Sequence, residues 1–87
     1  EFGRRVIDNG SGTDHGAAGV AFAVGEHVKG GVYGMYPSLE PSQLEEGGNL
    51  KFNLDFRSVY STILEDWFQL DAEPIVNGNF ERTKFFA

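Results

Sequence analysis

The residues with chemical promise are Thr13-Asp14-His15-Gly16, within the glycine-punctuated stretch DNGSGTDHGAAG, Asp8 to Gly19. A carboxylate oxygen is a hard ligand and an imidazole nitrogen a borderline one, so the pair suits zinc, calcium, magnesium or manganese without selecting among them. Adjacent residues in an extended or turn conformation point opposite ways. Asp14 and His15 can therefore serve two metal ions, or one metal ion and one substrate oxygen. Gly10, Gly12 and Gly16 let the backbone come close to a bound ion or oxyanion. The same dipeptide also fits a hydrogen-bonded surface turn.

The other polar residues have plainer readings. Thr13 is placed to hydrogen-bond within its turn rather than to act as a nucleophile. His27, in Gly25-Glu26-His27, belongs to a solvated turn more simply than to a ligand set. Arg4 and Arg5 are expected to pair on the surface with Asp8 or Glu1, the alternative being a bidentate grip on an anionic ester. Glu45-Glu46 and Glu65-Asp66 read as solvated faces.

Positioning such a loop requires elements on either side of it. Phe2 to Ile7 is short and mixed, and Asp8 to Gly19 is too rich in Gly, Asn, Ser and Asp to hold a regular element. Val20 to Gly25, VAFAVG, reads as a strand buried on both faces of a mainly parallel sheet. Val28 to Tyr36, with three glycines, reads as a weak strand or an irregular hairpin arm. Pro37 to Asn49 is a surface connection with a short helix at Ser42 to Glu46.

The clearest pattern is DFRSVYSTILEDWFQL, where Phe56, Val59, Tyr60, Ile63, Leu64 and Trp67 recur at spacings of three and four. It predicts an amphipathic helix of about four turns, capped by Asp55, stopping near Leu70 and burying Phe56, Tyr60, Ile63 and Trp67. Pro74 disfavours helical geometry in Glu73. Asn77-Gly78 reads as a turn, and the end of the chain as a tail packed on something. The expected class is α/β with two to four short strands and one long amphipathic helix.

The chain has 87 residues, 40% of them apolar, and no cysteine, which excludes disulfides and thiolate metal sites. Such a length allows a single small domain or a fragment of a larger one. All but one of the 12 glycines lie at or before Gly48, while eight of the 12 aromatic residues lie at or after Phe52. The second half should therefore carry the packing. A net charge of −6, with no basic run, argues against nucleic acid and against an anionic membrane surface. No apolar run reaches the roughly 20 residues of a membrane span, so the chain reads as soluble. Glu1 stands where a methionine is expected, which reads as a processed chain or a fragment.

In order along the chain, EFGRR, NGSGTDHG, a short apolar segment, VKGGVYGMYPSL and DFRSVYSTILEDW resemble the C-terminal part of the domain of unknown function 1501 family. That bacterial family is a sulfatase-like branch of the alkaline phosphatase superfamily, and the resemblance covers nearly all of the chain. It implies a C-terminal fragment of an alkaline-phosphatase-like sheet, with Asp14 and His15 as ligands to active-site metals and Asp55 to Trp67 as a helix of that fold. It implies, more loosely, that Lys29 lies near the ester oxyanion. The activity implied is metal-dependent hydrolysis of phosphate or sulfate esters. The nucleophile and first aspartate ligands would lie upstream of Glu1, leaving this chain without a catalytic residue and inactive alone. The partners expected are that missing N-terminal half and a second copy of the chain, and the location exported or periplasmic. The alternative is a structural or interaction module that retains the segment without turnover.

Overall fold

The computed structural model describes every residue from Glu1 to Ala87. The chain forms two compact units, each assembled from two stretches of sequence: Glu1–Phe22 with Met35–Asn53, and Ala23–Gly34 with Leu54–Ala87.

The first unit is built on a two-stranded antiparallel ribbon, β1 (Arg4–Asp8) and β2 (Thr13–His15), in which Arg4 faces His15 and Asp8 faces Thr13. Between those pairs β1 uses more residues than β2, so the register is irregular. Short polar side chains make the connecting turn: Asp8 Oδ1 accepts from the Gly10 N–H at 2.5 Å and Asn9 Oδ1 from the Ser11 N–H at 2.9 Å. Gly10, at φ 97°, takes a conformation that side chains resist. The backbones then converge. A Cβ on Gly16 would stand 2.7 Å from the Arg4 carbonyl carbon, and one on Gly3 would overlap the Gly16 oxygen, so both positions need glycine.

Thr13 to His15 is therefore strand and not loop, because the turn at Gly10 folds it back against β1. Beyond it Ala18 is buried and its carbonyl accepts from the Arg4 N–H at 3.1 Å. The Val20–Gly25 segment, in contrast, is not a strand. Val20, Phe22 and Val24 are 58%, 88% and 95% exposed, since no sheet covers them. The Val28–Tyr36 segment holds no strand either, only an isolated bridge at Val28.

In the rest of the first unit, the Asn53 amide clasps Met35, accepting from its N–H at 2.9 Å and donating to its carbonyl at 2.5 Å. The helix expected at Ser42–Glu46 is realised as a 3-10 turn at Pro41–Gln43, followed by a turn at Glu46–Gly48.

The second unit contains the predicted helix in altered form. α1 (Phe56–Thr62) starts where expected: Asp55 Oδ1 accepts from the Arg57 N–H at 2.9 Å. At Ile63 the winding loosens, and Ile63–Trp67 is π-helical, with the Phe68 N–H donating to the Ile63 carbonyl at 3.1 Å. After Phe68, Gln69 is left-handed at φ 57°. The helix thus spans 12 residues, ends three before Leu70, and is not the long amphipathic helix expected. With two antiparallel strands in place of a mainly parallel sheet, the α/β, alkaline-phosphatase-like fold class is overturned.

The face that is buried is also the other one. Ser58, Ser61 and Thr62 are buried, while Phe56, Tyr60 and Trp67 are 63%, 55% and 50% exposed. Small hydroxyl side chains admit backbone where large rings would not. Thr62 Oγ1 donates to the Ser58 carbonyl at 2.7 Å and accepts from the Thr83 N–H at 2.8 Å. Glu65, expected in solvent, accepts from the buried Ala72 N–H at 3.2 Å and from Arg82. The second helix, α2 (Glu73–Val76), begins with Pro74 in its first turn, where the missing N–H costs nothing, and ends on Asn77 at φ 58°. Asn77-Gly78 is accordingly the turn expected, and it serves to stop the helix. The C-terminal segment docks through a Val28–Phe86 bridge and buries Phe85.

Candidate functional site

Asp14 and His15 stand on β2, directly after the glycine turn, and both are exposed. Strand geometry turns their side chains to opposite faces of the ribbon. On one side Asn9 Nδ2 donates to Asp14 Oδ1 at 2.8 Å, which leaves Asp14 Oδ2 free to accept or to ligate. On the other, His15 Nε2 lies 3.3 Å from Glu1 Oε2. Glu1 is shared with Arg4, whose Nη2 is 3.7 Å from Oε1.

The two arginines behave as surface residues. Arg4 Nη1 donates to the Thr13 carbonyl at 3.0 Å, and Arg5 reaches the His15 carbonyl at 3.3 Å and the Gly47 carbonyl at 3.2 Å. Their role is to tie β1 to β2 and to the Glu46–Gly48 turn. Of the two acids weighed as Arg4 partners, Glu1 is the one engaged.

Lys29 belongs to the second unit, and Asp14 and His15 belong to the first. Its N–H donates to the Phe85 carbonyl at 2.7 Å and its carbonyl accepts from the Tyr33 hydroxyl at 2.7 Å, so its backbone has a packing role. His27, also in the second unit, stands against Trp67.

A divalent cation finds suitable donors in Asp14 and His15, a carboxylate and an imidazole, but the two form only part of a ligand set. No group of three or more His, Asp or Glu side chains converges to complete it. Glu1 and Asn9 are the neighbours that sequence spacing did not show. Their contacts depend on the irregular register of β1, for which no local pattern exists.

The second unit offers a surface of another kind. Phe56, Tyr60, Ile63, Leu64, Ile75 and Val76, with Arg57 at the edge, line an open apolar groove of about 510 Å³ between α1 and α2. Arg57 is held there by Asp55, at 2.7 and 3.0 Å, and stands 4.4 Å from the centre of the Phe80 ring. That pairing holds the Asp55 carboxyl well below its usual range, at about 2. No helix is long and apolar enough to cross a membrane. Comparisons with protein families, with characterised proteins and with solved structures find no match to this chain.

Proposed function

We propose that this chain is the metal-ligand-bearing C-terminal portion of a sulfatase-like protein whose complete form hydrolyses phosphate or sulfate esters. The observation that carries the reading is the adjacent, exposed carboxylate and imidazole of Asp14 and His15, held beside a glycine turn within the NGSGTDHG motif. Their opposite facing suits two metal ions, or one ion and one substrate oxygen. The divalent cation would supply positive charge for the ester oxygens and the nucleophile. Asp14 Oδ2 is free for such a role without breaking the Asn9 contact, whereas His15 Nε2 must exchange Glu1 for it. The nucleophile and further ligands are assigned to residues outside Glu1–Ala87, which leaves this chain without turnover by itself.

The test is metal content by mass spectrometry on the protein joined to its upstream half, in wild type, Asp14→Ala and His15→Ala. Each substitution is expected to lower bound metal by at least about half, since removing one ligand of a catalytic set lowers affinity steeply. Unchanged stoichiometry in both variants removes the metal role.

The apolar groove favours a second reading, an interaction module without chemistry. Its exposed Phe56, Tyr60 and Ile75 are the residue types that interfaces bury. Under that reading the chain alone folds cooperatively and ignores chelator.

A further inference from the structure

The second unit carries a row of aromatic rings that neither the Asp14–His15 ribbon nor the apolar groove uses. Trp67 closes the π-helical segment, and its indole stacks on Phe86 at 5.5 Å between centres with 17° between planes. The His27 imidazole lies 5.5 Å from the same indole, tilted by 42°. The segment presenting that imidazole is also the one that holds the C-terminal residues. The His27 carbonyl accepts from the Ala87 N–H at 2.9 Å, and the Lys29 N–H donates to the Phe85 carbonyl at 2.7 Å, on either side of the Val28–Phe86 bridge. One indole thus touches both partners of a single pairing.

His27 takes part in no ion pair. The acids engaged in ion pairs are Glu1, Asp55 and Glu65, and none of them meets His27. Its own segment carries Glu26 and Lys29, Asp66 precedes Trp67, and Lys84 precedes Phe85. No carboxylate stands within 4.0 Å of its ring nitrogens, so the indole is its ring partner.

We propose that His27 and Trp67 form a proton-sensitive clip on the C-terminal segment. A neutral imidazole meets the indole as an uncharged ring. Once protonated it becomes a cation against the most electron-rich ring among the side chains, and the attraction increases. Because His27 is exposed, the charge stays hydrated and little desolvation opposes that gain. Acidification therefore tightens the pairing of His27–Lys29 with Phe85–Ala87. Nothing in this rests on the hydrolase reading, since no residue of the ribbon takes part.

The test uses the fact that the chain has one tryptophan and two histidines. Trp67 emission is followed from about pH 8 to about pH 5. Amide exchange protection of Lys29 and Ala87 is measured at both ends of that interval. Wild type and His15→Gln are expected to show a titration of emission and an increase in protection of about two- to fivefold at the acidic end. His27→Gln and His27→Phe, the latter retaining a ring without a proton to gain, are expected to show neither. Emission that does not titrate in wild type overturns the proposal, as does a titration that survives in both His27 variants.

Discussion

Thr62 and Ser61 are adjacent hydroxyl residues, both buried on α1, and only one has its hydroxyl partnered. Thr62 Oγ1 donates to Ser58 and accepts from Thr83, and so joins the helix to the C-terminal segment. Ser61 Oγ has no partner and is desolvated without compensation. Thr62→Val should lower unfolding stability by about 1–3 kcal/mol, because it strands the Thr83 N–H as well as losing its own bond. Ser61→Ala should change stability by less than about 1 kcal/mol, or raise it, because it removes an unmet polar atom. Urea unfolding of the two variants side by side checks the contrast, and equal losses would refute it. At this scale the sequence was legible where residues are neighbours. Asp14 and His15 could be singled out from adjacency and from the glycines around them. The Glu1–His15 and Asn9–Asp14 contacts could not, since each depends on where the chain turns back.

The helix shows what a periodic pattern does and does not determine. Its start was legible, because Asp55 satisfies a first-turn N–H from its own side chain and the cause is local. Its apolar stripe was legible too, but which stripe faces inward depends on what the rest of the chain brings against it. Here that is the backbone at Thr83, which meets the Thr62 hydroxyl, and at Ala72, which meets the Glu65 carboxylate, so the polar stripe went in. The loosening at Ile63 and the left-handed Gln69 leave no mark in the spacing of apolar residues. The cap also carries a pH dependence of definite sign. The side-chain hydrogen bonds from Arg57, then its backbone N–H, lower the Asp55 carboxyl from 3.8 to about 2. A carboxyl lowered on folding stabilises the helix above its ordinary value, and that contribution is lost as pH falls through the folded one. Far-ultraviolet circular dichroism should therefore show helix lost between about pH 4 and about pH 2. Asp55→Asn retains an acceptor that does not titrate, so its loss over that interval should be smaller. Identical profiles would remove the cap as the cause.

For the whole chain the sequence overstated how much would be hidden. Twelve aromatics and 40% apolar residues suggested an ample core, yet the buried apolar residues are Ala18, Ala72 and Phe85. Burial is a property of partners, and composition does not say whether a large side chain finds one. Tyr60 and Ile75, both exposed on the groove, are each capable of contributing about 1.5–3 kcal/mol when covered. The isolated chain is expected to self-associate in sedimentation experiments. Tyr60→Lys with Ile75→Lys should weaken that association by at least about tenfold. A wild-type chain that stays monomeric at all concentrations would show that the groove needs no cover.

The division into two units has a consequence for how the chain is made. Each unit is discontinuous, and the polypeptide changes unit after Phe22, after Gly34 and again after Asn53. During synthesis the ribbon of β1 and β2 emerges before Met35–Asn53 and must wait for it, while Ala23–Gly34 waits longer still for the helices and for Phe85 and Phe86. Val20, Phe22 and Val24 emerge in that interval and remain exposed when both units are complete, whereas Phe85, which the second unit buries, is among the last residues to arrive. A chaperone that recognises short apolar segments would find this one in the nascent and in the finished chain alike, and a truncation before Phe85 would leave the second unit without its buried ring.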